Sequence, residues 1–193
     1  RLIDHLKAAS ERELERAHGR VAGGGAAVIA MGKLGGHEMT AGSDLDLIIV
    51  YEFDAEHPQS NGERPLYGAQ YFARLTQRLI SAFTTRTNYG VLYEVDMRLR
   101  PSGNKGLVAV SLAAFERYHA ADTPGGGAWT WERMALTRAR VVTGPSALRL
   151  RIRRRCSKRA RDESRLGLRR GSGIEFLQIE HVVPQIDNGP LAP

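Results

Sequence analysis

Two short apolar runs, 26–31 and 47–50, flank a glycine-rich stretch that ends in Asp44-Leu45-Asp46, and this arrangement limits the fold more than any other feature of the chain. Apolar runs of this length, fenced by Gly23-Gly24-Gly25, Gly32 and the Gly42-Ser43 turn, read as buried strands rather than helices. They predict one strand over about 26–31 and a second from Asp44 to Tyr51, with a glycine loop and turn over 32–43 between them. Side chains at i and i+2 of a strand share a face. Asp44 and Asp46 then project together while Leu45 and Leu47 enter the core. Carboxylates held this way suit Mg²⁺, a hard cation commonly shared between one or two carboxylates and the phosphates of a nucleotide. The spacing points to a nucleotidyl-transfer site.

The loop itself, Gly32-Lys33-Leu34-Gly35-Gly36, supports that direction, because glycines admit phosphate oxygens to the backbone and Lys33 offers a point charge. It is not a Walker loop, since Gly-x-x-x-x-Gly-Lys-Ser/Thr is absent. Around it, residues 1–18 read as a helix closed by Gly19. Apolar spacing from Leu66 to Phe83 predicts a helix whose aromatics are core rather than ligand contacts. Residues 91–100 alternate as a strand ended by Pro101, with Leu92, Glu94, Asp96 and Arg98 on one face. Ser111 is a good N-cap for a helix through Phe115 to His119, and a further helix is expected from about Trp129 to Val142. Trp129 and Trp131, two apart, cannot share a helix face, so one of them is expected in the core.

Composition excludes several classes. The 193 residues are 42% hydrophobic, enough for one domain with a real core. Cys156 is the single cysteine, so no internal disulfide can form, and the six histidines lack zinc spacing. A reducing cytoplasm is the expected setting. No apolar run approaches the ~20 residues of a membrane helix, and the first residues lack a signal-peptide core. The net charge of +7 is concentrated between Arg149 and Arg170, where eleven Lys or Arg meet two acids; the rest of the chain has 17 basic and 19 acidic residues. A block of like charge repels itself and stays solvated, so a nucleic-acid partner is not expected.

An Asp-x-Asp at a strand start is, alone, usually a capped turn. Here Gly32 followed by Asp44-x-Asp46 resembles the polymerase-β-like nucleotidyltransferases, although Lys33 stands where a small residue is usual. The longer stretch from Met31 to Ile48 is similar to the glutamine-synthetase adenylyltransferase family. So are Tyr93-Glu-Val-Asp-Met-Arg-Leu-Arg-Pro-Ser-Gly103 and the stretch 128–142, which begins Ala-Trp-Thr-Trp-Glu. The form of these motifs is most like the adenylylating, carboxy-terminal half of that two-headed enzyme.

The resemblance implies an α+β fold: a polymerase-β-like nucleotidyltransferase core, a small mixed sheet with flanking helices, plus helical N- and C-terminal extensions. The expected divisions are a leading helix at 1–19, the nucleotidyltransferase domain at 20–145 and a basic helical or partly disordered tail at 146–193. Within the tail, residues 171–177 look like a remnant of a family segment, with Ile174 where an aspartate is usual. Asp44, Asp46 and Asp96 are implied as catalytic and metal-holding, with Gly32, Lys33, Gly42, Ser43, Arg98 and Arg100 as nucleotide or phosphate contacts. Glu38, Glu94 and Glu132 are expected to be structural partners of arginines, and a salt bridge to Arg98 or Arg140 is the plain alternative for Asp96. The implied chemistry is Mg²⁺-dependent transfer of AMP from ATP to a tyrosine hydroxyl of glutamine synthetase, under a PII-type nitrogen signalling protein. Two alternatives remain: phosphorolytic removal of AMP, as in the other half of the enzyme, and a non-catalytic regulatory or nucleic-acid-binding module that uses the basic tail.

Overall fold

The computed structural model describes residues 1–88, 90–120 and 127–165. The fold is α+β, with a mixed sheet between two layers of helices. In chain order the elements are α1 (Leu2–His18), β1 (Gly25–Ala30), α2 (Gly32–Gly35), β2 (Leu45–Glu52), α3 (Gly68–Thr84), β3 (Val95–Asp96), β4 (Val110–Ser111), α4 (Leu112–Tyr118), α5 (Thr130–Leu136), β5 (Arg140–Thr143) and α6 (Ser146–Arg165).

The sheet runs β3-β2-β1-β5. β1 is antiparallel to both β2 and β5, while β3 and β4 lie parallel to β2, at Leu45–Asp46 and at Val50–Tyr51. The expected strand at 26–31 forms over Gly25–Ala30, and the one from Asp44 to Tyr51 over Leu45–Glu52. Both are buried on two faces, which is why they read as continuous apolar runs. On one face Val28, Leu47 and Ile49 pack with Leu14 of α1 and Phe72, Leu75, Leu79 and Phe83 of α3. On the other, Ile29, Ile48 and Val50 meet Phe115 of α4, Leu136 of α5 and Leu148 and Ile152 of α6. The aromatics of α3 are core, as expected: Phe72 stacks on Tyr51 with ring centroids 4.9 Å apart, and Phe83 is fully buried. Gly19 closes α1, and the Ser111 hydroxyl caps α4 by accepting from the Ala114 N–H at 3.2 Å.

Four local expectations are corrected. The strand expected over 91–100 survives only at Val95–Asp96. The Asp96 carboxylate accepts the Arg98 N–H at 2.7 Å and the Arg100 N–H reaches the Met97 carbonyl at 3.1 Å, so the chain turns away from the sheet. The helix expected to run to Val142 stops at Leu136. Three successive i→i−3 bonds, from Thr137, Arg138 and Ala139, tighten its end, and Arg140–Thr143 then pairs with the free edge of β1. Neither tryptophan is core: Trp129 is 71% exposed and Trp131 50%, whereas the neighbouring Glu132 is buried. The first part of the glycine loop is a single helical turn, α2.

Arg149–Arg170 was expected to be solvated. In α6, Arg153, Arg154 and Lys158 are exposed, while Leu148, Ile152 and Cys156 are buried against the sheet. Arg151 pairs with Glu52 at 2.5 Å. Burial pushes the Cys156 thiol up to about 11. Residues 171–177 and the chain end lie outside the described residues. No described helix is long and apolar enough to cross a membrane.

Candidate active site

The site grows from the alternation of β2. Asp46, Ile48 and Val50 share one face; the last two are buried, whereas Asp46, at the strand's beginning, is half-buried and Asp44, just before the strand, is exposed. Hydrophobic packing thus fixes the strand and leaves its acidic end open. β3 adds the third acid, because its register places Asp96 opposite Asp46. The Leu45 N–H donates to the Glu94 carbonyl at 2.8 Å, which ties the two segments together next to the acids.

The glycine turn closes on the same point. The Met31 N–H donates to the Asp46 carbonyl at 2.9 Å. Gly32 has φ +49, and a Cβ there would lie 2.3 Å from Asp46 Oδ2. Only glycine satisfies both the left-handed backbone and that approach. Gly42 also has a positive φ, +81, but nothing lies within 4 Å of where its Cβ would be. Conformation alone asks for glycine there.

Electrostatics mark the spot as overcharged. The Asp46 carboxyl is pushed above the usual range by burial and by the negative charges of Asp96 and Asp44, against a smaller pull from Arg98 and Lys33. At Asp96, burial acts upward, but Arg98 outweighs it and holds the carboxyl below the usual range. Arg98 donates to Asp96 from its backbone N–H and its Nε, each at 2.7 Å, and from Nη2 at 2.6 Å. Of the two partners expected for Asp96, Arg98 is therefore the one found. Three carboxylates are a hard oxygen donor set of the kind that takes Mg²⁺, and a cation there would relieve the repulsion that raises Asp46. Asp44, Asp46 and Asp96 do not form a tight trio. Among the described residues, the three groups whose ligand atoms all fall within 4.8 Å of one another are Asp54, Glu56 and His57, in the loop after β2. The sequence signal for that trio is a histidine within three residues of two acids, a grouping that zinc spacing does not pick out.

The remaining candidates divide. Lys33 is exposed on α2, within electrostatic reach of Asp46. Arg100 does not share a strand face with Arg98, because the strand has ended. Its Nη1 donates to the Met97 carbonyl at 2.7 Å, and its buried Nε has no partner among the described residues. Ser43 is buried, and its hydroxyl is engaged by the Thr40 N–H at 3.1 Å and the Thr40 hydroxyl at 2.8 Å, closing the 40–43 turn. Glu38 pairs with Arg138 as expected. Glu132 instead accepts from the Tyr118 hydroxyl at 3.0 and 2.9 Å and from the Trp129 N–H at 2.7 Å. Arg140 does not reach Asp96. Its Nη2 donates to the Leu34 carbonyl at 2.7 Å and its Nε to the Gly35 carbonyl at 3.3 Å. Sequence reasoning missed that role, since a cation satisfying two backbone carbonyls leaves no pattern.

Residues 3–155 match the family described as glutamate-ammonia ligase adenylyltransferase. The chain is similar to the bifunctional glutamine synthetase adenylyltransferase/adenylyl-removing enzyme of Rhodopseudomonas palustris strain TIE-1, with 64% identity over 135 residues. The same identity and length hold for the Bradyrhizobium diazoefficiens enzyme. The enzyme of Xanthobacter autotrophicus is 59% identical over 138 residues, which is 71% of this chain. In the first two the match covers 70% of this chain, and in all three it spans 13% of the relative's length. With a family match over most of its length and relatives at this identity, the chain belongs to the glutamate-ammonia ligase adenylyltransferase family.

Proposed function

We propose that this chain carries a nucleotidyl-transfer site, built on a polymerase-β-like core at 20–145, that moves AMP from ATP to a tyrosine hydroxyl of glutamine synthetase in the cytoplasm. The leading helix at 1–19 and the basic segment at 146–193 flank that unit. The observation that supports the reading is the register of Asp46 with Asp96, with Asp44 two residues before and Gly32 against the Asp46 carboxylate. Asp44, Asp46 and Asp96 would hold Mg²⁺, which when bound neutralises charge on the triphosphate and the leaving pyrophosphate. Asp96, kept ionised by Arg98, accepts the hydrogen bond of the incoming hydroxyl and orients it; its lowered pKa makes it a weak base rather than a strong one. Arg98 and Lys33 are the side-chain cations at the site that suit phosphate, with Arg100 behind them. Gly32 leaves backbone close to that space, Gly42 lets the turn before Asp44 take its left-handed conformation and offer its N–H to phosphate, and Ser43 acts by holding the turn. A PII-type protein is the proposed regulator, by resemblance alone.

The relatives are named for both adding and removing adenylyl groups, so removal, in which phosphate attacks the AMP–tyrosine bond and leaves ADP and the free tyrosine hydroxyl, is the second reading. Labelled ATP with unmodified glutamine synthetase, run against phosphate with the adenylylated form, separates the two. Transfer is expected with Mg²⁺ and is expected to vanish in Asp44→Asn and Asp46→Asn. Near-normal transfer in the doubly substituted protein would overturn the mechanism.

A further inference from the structure

We propose, resting on the site reading above, that Arg140 is a positioning residue for the Asp46 site: it holds the one-turn helix α2 so that Gly32 stays against the Asp46 carboxylate. α2 has four residues, too few to be stable by itself. The last carbonyls of a helix have no N–H of their own to accept from. For α2 those of Leu34 and Gly35 are met by the Arg140 guanidinium, at 2.7 and 3.3 Å. Arg140 is itself fixed, because its Cα pairs with Ala30 across β5 and β1, one residue before the chain leaves the sheet at Met31. The contacts then run in series to the acid: the Gly35 N–H to the Met31 carbonyl at 2.7 Å, the Met31 N–H to the Asp46 carbonyl at 2.9 Å, and Gly32 packed on Asp46 Oδ2. A second observation places the turn on the same support. A Cβ at Gly35 would lie 2.3 Å from the Arg138 carbonyl, so α2 is pressed onto the segment that leads into β5.

A planar fork can serve two carbonyls at once, whereas a lysine offers one compact charge. Removing Arg140 frees α2 without touching any carboxylate. The test compares the 193-residue chain with Arg140→Ala, Arg140→Lys and Asp46→Asn by Mn²⁺ titration followed by electron paramagnetic resonance, and by amide exchange at Gly35 and Gly36. Arg140→Ala is expected to weaken Mn²⁺ binding about tenfold, as loss of an outer-shell partner does. Exchange at the two glycines should quicken while the amides of β1 and β2 keep their protection. Arg140→Lys is expected to fall between, and guanidinium added to Arg140→Ala to recover part of the affinity. Wild-type binding of Mn²⁺ with unchanged affinity in Arg140→Ala overturns the positioning role and leaves the site reading standing. A wild type that binds no Mn²⁺ overturns both. Loss of protection throughout β1 and β2 in Arg140→Ala and Arg140→Lys alike also overturns it, showing Arg140 to be a general support of the fold.

Discussion

Asp46 and Asp96 stand opposite each other on adjacent parallel strands, yet their proton affinities are displaced in opposite directions. Asp46 faces Gly32 and, among the described residues, no cation is bonded to it, so burial and its acidic neighbours raise its pKa; Asp96 is bonded three times by Arg98 and its pKa falls. One face of a sheet therefore holds a carboxylate that costs stability beside one that contributes it.

The sign of each contribution follows from linkage. Folded Asp46 holds its proton more tightly than the unfolded chain does, so its ionised form costs stability that appears as pH rises through its folded pKa. Asp96 contributes stability above the usual carboxylate range, and that contribution is lost as pH falls through its folded pKa. At pH 7, Asp46→Asn is expected to raise the melting temperature by about 1–2 °C after solvent screening is allowed for, and Asp96→Asn to lower it by a similar amount. Both changes should abolish transfer. Circular-dichroism melts decide the matter, and shifts of the same sign would contradict the assigned electrostatics.

Gly32→Ala and Gly42→Ala should separate space from backbone conformation. Both carry a positive φ, so each substitution costs about 1–2 kcal/mol in denaturant titrations. Only at Gly32 does the added methyl strike the Asp46 carboxylate. Displacement of a reacting group on that scale is expected to slow transfer about 100-fold, whereas Gly42→Ala should retain most of the rate.

Glu132 is 4% exposed and takes the Tyr118 hydroxyl and the Trp129 N–H. Glu132→Ala is expected to destabilise the fold by about 1–3 kcal/mol, because it leaves two donors without their acceptor. Tyr118→Phe, which removes one donor and orphans little, should cost less in the same urea titration.

Trp129→Ala and Trp131→Ala should each change stability by no more than about 0.5 kcal/mol, since both side chains are exposed. Phe83→Ala, in a fully buried position, is expected to cost about 3–5 kcal/mol. A tryptophan substitution matching the phenylalanine one in a chemical melt would show that the indole is packed in solution.

Ile152 belongs to the basic segment by sequence and to the core by structure, fully buried with Leu148 on α6. Ile152→Ala is expected to cost about 2–5 kcal/mol, while Arg153→Ala and Arg154→Ala, both exposed, should be near neutral in the same assay.

Sequence alone was enough where the signal was local. The apolar runs of β1 and β2, the helical spacing of α3, the Ser111 cap and the Gly19 stop were all readable, because strand alternation, helix period and capping chemistry repeat within a few residues. So was the placing of Asp44 and Asp46 at the open end of a buried strand. Tertiary structure decided the rest, for reasons no window of sequence contains. Residues 140–143 became a strand because β1 had an unpaired edge, and 97–100 left the sheet because Asp96 bonded the backbone and side chain of Arg98. Ser43 turned inward to Thr40. Arg140 found the carbonyl of Leu34, 106 positions away in the chain. Which atoms a charged side chain meets depends on which distant backbone the fold carries to it, and in this protein that includes the turn that abuts Asp46.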